Sequence, residues 1–274
     1  MRKARLLSAV SILAFLAGCA GLPRGPVQSD RLSGCPKQTA ATVVANQKQL
    51  GSLTDTPTLT CAVNVLNNTQ DPAVRRTALG SRLYLNLAER ETNQENREKL
   101  ASEGVRFAET ALAQGASKDG AVHYYLAANL GLAVRDHPTL AMGNLGRLED
   151  EMKQAVALSP GIDDGGPMRI LGALYLKAPA WPSGIGDLDK ALELLEKAAK
   201  EYPAHPLNHL FYAQALWAEG DEANLSLVKA EFALGKKLLA EGNWGYNKEP
   251  WKKEFDEFQQ ECGELGPVQA PPAQ

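Results

Sequence analysis

Few side chains in this sequence are spaced for catalysis or for metal binding. His205 and His209 have the spacing of helical metal ligands, but Pro206 between them marks the start of a helix. His205 therefore lies outside that helix, and the two imidazoles are not expected to share one face. We expect no metal site.

Asp163 and Asp164 could act as paired carboxylates in acid–base catalysis. They immediately precede Gly165, Gly166 and Pro167, at an expected helix entrance, where acidic residues are favourable without any catalytic role. The sequence contains no Gly-x-Ser-x-Gly, His-Glu-x-x-His or Gly-x-x-x-x-Gly-Lys motif and no dinucleotide-binding fingerprint. We expect neither an enzyme nor a bound cofactor, and a cell-wall enzyme is the less favoured alternative.

The N-terminus carries the most specific chemical signal. Three basic residues open the chain, an apolar run follows from Leu6 to Phe15, and Leu16-Ala17-Gly18-Cys19 matches the lipobox of bacterial lipoproteins closely. Because the apolar run is too short to span a bilayer, residues 1–18 are predicted to be a removed signal peptide. In lipoproteins with this motif the cysteine receives the lipid, so Cys19 is the predicted lipidation site. The alternative is an N-terminal membrane helix with an incidental cysteine.

Ala20 follows the cysteine in place of an aspartate that would retain a lipoprotein in the inner membrane. By that rule of the lipoprotein class, we expect attachment to the outer membrane with the domain in the oxidising periplasm. Residues 19–33 contain Pro23, Gly25 and Pro26, and we predict that they form a flexible tether.

Composition limits the class of the remaining chain. The 274 residues are 44% hydrophobic and only 6% aromatic, and alanine and leucine dominate the expected interior. This composition favours closely packed helices over sheets. The net charge of −3 gives no reason to expect binding to nucleic acid.

Three cysteines remain after Cys19. A bridge between Cys35 and Cys61 would close a loop of about 26 residues and stabilise the domain by about 3–4 kcal/mol on the loop-entropy model. Cys262 continues the apolar stripe of Trp251 and Phe255 on a terminal helix, so we expect a buried free thiol there.

The stretch from Gly165 to Pro203 predicts one antiparallel helical hairpin. Its second half, residues 188–202, repeats apolar residues at three- and four-residue steps, and Asp187 can cap its first turn. Its first half begins with Pro167, which suits a first helical turn, and stops before Pro179. Gly172 lets the two backbones approach, and Ala198 fills the small gap that remains.

Small residues recur at intervals of 41 to 47 residues along the chain. In the hairpin, Leu171-Gly172 and Tyr175, with Ala198 and Pro203, echo the consensus of a tetratricopeptide repeat. We predict an all-α, tetratricopeptide-like array of four helical pairs, at 71–116, 119–160, 165–203 and 206–241.

The ends of the array need covers, because an open end would expose core side chains. Residues 40–50 and 57–67 are predicted to form short helices at its start, and residues 250–261 a capping helix at its end. The helical domain then spans residues 34–262, and residues 263–274 are predicted to form a disordered, proline-rich tail.

The repeat period exceeds the usual length of about 34 residues, and the extra residues are predicted to fall between the helices of each pair. Loops at 136–138 and 178–182 should then gather on one edge, which is often the binding side of such arrays. The alternative is loops that only pack on their neighbours. The candidate binding residues are Tyr175, Pro179, Trp181 and Pro182.

Trp181 is the most informative of these residues. A tryptophan in such a proline-containing loop is either a plug over the neighbouring helices or the wall of an apolar pocket. Other aromatic side chains fall on the first helices of their pairs, which line the concave face of tetratricopeptide arrays, although core packing explains them equally well. They are Tyr124, Tyr125, Tyr175, Phe211, Tyr212 and Trp217.

The segment GGPMRILGALYLKAPAWP at 165–182, followed by GDLDKALE at 186–193, resembles the lipoprotein T component associated with TRAP transporters (tripartite ATP-independent periplasmic transporters). The likeness also covers the lipobox and the helical pairs, and so most of residues 1–262. It implies a lipid-tethered helical-repeat domain that forms trimers with a pore or cleft in each subunit. The implied partner is the transporter's periplasmic solute-binding protein, and the implied solute is small and apolar or carboxylated.

A second non-enzymatic reading is an assembly scaffold of the outer membrane, like the lipoproteins of barrel-insertion or pilus machinery. Those proteins use shorter and more regular repeats, so the long repeats of this chain count against it.

Overall fold

The computed structural model describes residues 34–263, and within this range the chain forms twelve α-helices and no β-strand. Short 3-10 turns lie at 47–49, 222–224 and 245–247. The helices are α1 Ala40–Ala45, α2 Thr56–Asn68, α3 Pro72–Arg75, α4 Leu79–Glu89, α5 Gln94–Ala113, α6 Gly120–Val134, α7 Pro138–Leu158, α8 Gly166–Lys177, α9 Leu188–Glu201, α10 Pro206–Glu219, α11 Leu225–Glu241 and α12 Lys248–Glu261.

The four predicted helical pairs are confirmed as the hairpins α4–α5, α6–α7, α8–α9 and α10–α11. Local chemistry sets their starts. The side chains of Asp119 and Asp187 accept hydrogen bonds from the first turns of α6 and α9, and Pro167 and Pro206 occupy the first turns of α8 and α10. α1 and α2 cover one end of the array and α12 the other, as expected.

The prediction of a long loop around residues 136–138 is wrong, because Pro138 is the first residue of α7. Proline fits the first helical turn, and no proline interrupts the chain again until Pro160. The extra residues of the first two pairs therefore lengthen their second helices, and α7 has 21 residues. Among the four hairpins, α8–α9 alone has a long loop, at residues 178–187.

Close packing of helix on helix holds each pair together. A Cβ atom added at Gly172 would lie 2.6 Å from Cγ of Leu195, so α8 and α9 approach as predicted only because this position has no side chain. Ala198 is fully buried in the same contact region. Gly80 plays the same part in the first pair, where the ring of Phe107 fills the space that a side chain would need.

The first helices of the last three hairpins, α6, α8 and α10, each have a basic residue at their fourth position. This residue ties the helix to the turn before it. His123, Arg169 and His209 are buried, and each hydrogen-bonds the backbone carbonyl six residues earlier in the chain. The two histidines also bond a carboxylate of the second helix in their pair, through Nδ1 to Glu151 and to Glu231 at 2.6 Å. The repetition of this arrangement supports the pairing of helices into equivalent units.

The two ends of the array meet. The N–H of Tyr246 donates to the carbonyl of Ser52 at 2.9 Å. Arg90, at the end of α4, donates to the carbonyl of Thr54 at 2.6 Å, and its guanidinium carbon lies 4.1 Å from the centre of the Tyr246 ring. Arg90 therefore joins the first and last segments of the described chain, and we call these bonds the closing contact.

Cys35 and Cys61 form a disulfide, which ties the start of the described chain to α2. Cys262 is free, as predicted, but half-buried where the sequence predicted a buried thiol. It lies just beyond the end of α12 and packs only partly against the core, because α12 covers the array from outside.

Several predictions concern residues outside the described range. These are the signal peptide at 1–18, the lipidation site Cys19, the tether at 19–33 and nearly all of the tail at 263–274. None of the twelve described helices combines the length and the apolarity that crossing a bilayer requires.

Replacing Arg90 with Gln should lower the free energy of unfolding by about 1–3 kcal/mol, because the variant loses a cation–π contact and charged hydrogen bonds. Urea unfolding of the two proteins measures this difference. Arg76→Gln is the control, since Arg76 is exposed and bonds only within its own turn. Equal stabilities of the two variants would contradict the closing contact.

The stability of the α10–α11 pair should depend on pH through His209. Burial lowers the pKa of His209, but its bonds to Glu231 and to the carbonyl of Pro203 outweigh burial and raise the pKa above the usual value. The stabilisation is then complete below about pH 6.5 and is lost as the pH rises through the raised folded pKa.

Wild type should therefore be more stable than Glu231→Gln at about pH 5.5, and the difference should shrink by about pH 8.5. Chemical unfolding at a series of pH values measures it. Glu193→Gln, an exposed change on α9, should give a difference that does not vary with pH. A constant difference for Glu231→Gln would show that His209 is not charged in the folded protein.

Candidate functional site

The loop between α8 and α9, residues 178–187, is held in one shape by its own backbone. Gly186 donates to the carbonyl of Pro179 at 2.8 Å, and Asp187 donates to the carbonyl of Tyr175 at 3.0 Å. Ser183 and Gly184 both donate to the carbonyl of Ala180. These bonds join the two sides of the loop and fix it to the end of α8.

Two glycines allow this tight arrangement. A Cβ atom at Gly184 would lie 2.5 Å from the carbonyl oxygen of Pro179, and one at Gly186 would collide with the carbonyl oxygen of Ala178. The two sides of the loop are in contact through their backbones, so only glycine fits at these positions. The loop is therefore ordered by contacts that do not involve its largest side chain.

Trp181 projects from this loop into solvent, with 84% of its surface exposed. Pro179 and Pro182 beside it are exposed as well. The interpretation of Trp181 as a plug over neighbouring helices is therefore wrong. Tryptophan is among the residues enriched at the centres of protein interfaces, so an indole exposed on an ordered loop is a candidate binding residue.

Tyr175, which the sequence placed with these residues, lies in the core and is only 3% exposed. Its hydroxyl donates to Glu149 at 2.7 Å, and the ammonium of Lys190 lies 5.4 Å from its ring centre. Burial, followed by the bond to Glu149, raises the pKa of Tyr175 above its usual value. A partner cannot reach this ring, so Tyr175 supports the loop and does not bind.

A cleft of about 420 Å³ opens beside the loop, between α8, α10 and α12. Leu176 and Lys177, the last two residues of α8, line it directly before the loop begins at Ala178. Trp217 of α10 and Phe258 of α12 contribute apolar surface. Trp181 is not among the lining residues, so it does not form the wall of this cleft.

A second polar site joins α4, α6 and the turn before α8. The hydroxyl of Tyr125 lies 3.3 Å from both carboxylate oxygens of Asp163. Although solvent reaches Glu89, the surrounding protein raises the pKa of its carboxyl to about 7, and the charge of Asp163 raises it further. We call Glu89, Tyr125 and Asp163 the acidic cluster.

A buried hydrogen-bond network holds the 163–164 turn of the acidic cluster. Asp163 and Asp164 have left-handed backbones with φ of 47° and 50°, a conformation that strains residues with a side chain. Arg169, 5% exposed, donates to the carbonyls of both aspartates and to the side chain of Asn208 at 2.7 Å. Asn208, fully buried, donates to the carbonyl of Asp164 at 3.0 Å.

The sequence reasoning missed Glu89, Arg169 and Asn208. One signal could have identified Arg169, because it occupies the same fourth position of its helix as His123 and His209. The paired aspartates were read as a helix entrance, which is where they lie. Within residues 34–263, no group of three or more His, Cys, Asp and Glu side chains is placed to hold a metal ion.

Gly186→Ala should lower the free energy of unfolding by about 1–3 kcal/mol, because the new methyl group meets the Ala178 carbonyl. Trp181→Ala should change it by less than about 0.5 kcal/mol, because the indole is exposed. Urea unfolding of both variants measures these changes. A loss of stability in Trp181→Ala as large as in Gly186→Ala would make Trp181 a structural residue.

No model of a known protein family matches this chain, and no curated protein sequence matches it either. Function is therefore inferred from the geometry of the 178–187 loop and from the sequence patterns at the N-terminus and in the 165–193 segment.

Proposed function

We propose that this protein is a lipid-anchored periplasmic adaptor of the outer membrane that serves as an accessory component of a TRAP-type transport system. It binds the periplasmic solute-binding protein of that system through the 178–187 loop. The lipobox ending at Cys19 supports the anchor, and the resemblance of residues 165–193 to the T component supports the partner. A homotrimer, which the same resemblance implies, stays a prediction.

The observation that carries this proposal is the exposed Trp181 on a loop fixed by backbone hydrogen bonds. A surface aromatic contributes most to binding when little conformational freedom is lost on association. The four backbone bonds and the close glycine contacts order the loop before any partner arrives. The exposed rings of Pro179 and Pro182 extend the apolar surface around the indole.

Of the two ligands that the resemblance implies, a protein partner has more support than a small solute. A carboxylated solute would be repelled by the acidic cluster, because Asp163 is negatively charged and Glu89, with its pKa raised to about 7, carries part of a second negative charge. A small apolar solute gains nothing from these polar groups. A protein partner at the Trp181 loop is therefore the better supported ligand, and the small solute is secondary.

Cys19→Ala should release the protein from membranes, because the lipid on this cysteine is the proposed anchor. Fractionation of cells followed by immunoblotting measures the distribution, and a high-salt wash removes protein held by charge alone. Cys262→Ala is the control and should stay in the membrane fraction. Sedimentation of Cys19→Ala with washed membranes would place the anchor elsewhere.

Trp181→Ala should weaken binding of the TRAP solute-binding protein from the same organism about thirtyfold, since interface tryptophans commonly account for about 2 kcal/mol. Calorimetric titration of the purified full chain with that protein measures the dissociation constant. Leu234→Ala removes another exposed apolar side chain, from α11, and should leave the dissociation constant unchanged.

Melting curves of the same preparations separate binding from folding. An unchanged dissociation constant for Trp181→Ala would contradict the proposed site. A loss of binding that only follows a loss of folded protein would contradict it equally.

A further inference from the structure

The cleft beside the Trp181 loop carries an unbalanced charge. Glu254, Glu257 and Glu261 lie on one face of α12 and line it, whereas Lys177 is the one cation among its lining residues. The ammonium of Lys177 lies 5.4 Å from the ring centre of Phe211 in α10. Three carboxylates and a single ammonium group therefore line the cleft.

Among the described residues, the carboxylates of Glu254 and Glu261 form no ion pair and no hydrogen bond, while the carboxylate of Glu257 lies 3.4 Å from the ammonium of the exposed Lys253. The side-chain oxygen of Gln214, which also lines the cleft, is buried without a donor. Because buried acceptors are normally satisfied, this oxygen is a further acceptor that a bound hydrogen-bond donor could satisfy.

Part of the cleft lining is apolar. Trp217 and Phe258 contribute aromatic surface, and Leu176 contributes an aliphatic side chain. Arginine and lysine combine an apolar stem with a cationic head, so they match a cleft that is lined by both aromatic rings and carboxylates. The guanidinium group of arginine can also donate to several oxygens at once.

We propose that this cleft binds an arginine or lysine side chain of the partner protein that contacts Trp181. The inference rests on the proposed function, because the loop of Trp181 begins directly after Lys177 at the cleft. The sequence after Gly263 includes Glu264 and no lysine or arginine. Charge therefore disfavours the protein's own C-terminal segment as the occupant.

The test uses a hexa-arginine peptide as the probe, titrated calorimetrically into the full chain at low salt. The double variant Glu254→Gln with Glu261→Gln should weaken its binding by about fivefold to tenfold, as expected for two partly exposed ion pairs. The control, Glu193→Gln with Glu222→Gln, removes the same charge from exposed positions elsewhere and should change affinity less than about twofold. Hexaglutamate should not bind.

Equal weakening in both double variants would show a general charge effect and overturn the proposal, as would no binding of hexa-arginine to wild type.

A second experiment measures binding of the solute-binding protein to the same variants. If Trp181→Ala weakens its binding and the Glu254/Glu261 variant does not, the loop is the partner site and the cleft proposal fails alone. If a chain ending at Gly263 binds hexa-arginine more than about tenfold tighter than wild type, the C-terminal segment occupies the cleft and the proposal also fails.

Discussion

The backbone contact between α8 and α9 is the constraint on which the functional surface depends. Gly172 has no side chain, so Leu195 of the opposite helix packs directly over it. This approach places the end of α8 next to the start of α9 and lets Asp187 donate to the carbonyl of Tyr175. A bulkier residue at 172 would push the helices apart and separate the two ends of the loop that presents Trp181.

Buried polar groups set the register between successive hairpins. His123, Arg169 and His209 each tie a helix to the turn before it, and each is too deep to remain unpaired. Because the same position serves the same purpose in three hairpins, the array repeats in structure even where its sequence does not. In the third hairpin, Arg169 also holds two aspartates in a strained turn, and one of them, Asp163, belongs to the acidic cluster.

Much of the fold could be predicted from local signals, because each helix carries its own apolar period and its own stop. The second helix of the central hairpin was expected at 188–202 and occurs at Leu188–Glu201, since Asp187 and Pro203 act over a few residues. Pro138 misled the same reasoning, because proline both ends helices and begins them. The burial of Tyr175 and the exposure of Trp181 depend on contacts between distant segments, and no local pattern reveals them. Glu89 belongs to the acidic cluster, and Asn208 to the network beside it, only because α4, α6, α8 and α10 come together.

The central claim is that Trp181 touches a periplasmic solute-binding protein in the cell. Site-specific crosslinking tests it directly, with a photoreactive phenylalanine analogue in place of Trp181 and the same analogue at the exposed Glu193 of α9 as the reference. We expect irradiated cells to give one major crosslinked product at position 181, formed with the solute-binding protein of a TRAP system, and none at position 193. Crosslinks from position 181 to outer-membrane assembly proteins, or no product above that from position 193, would contradict it.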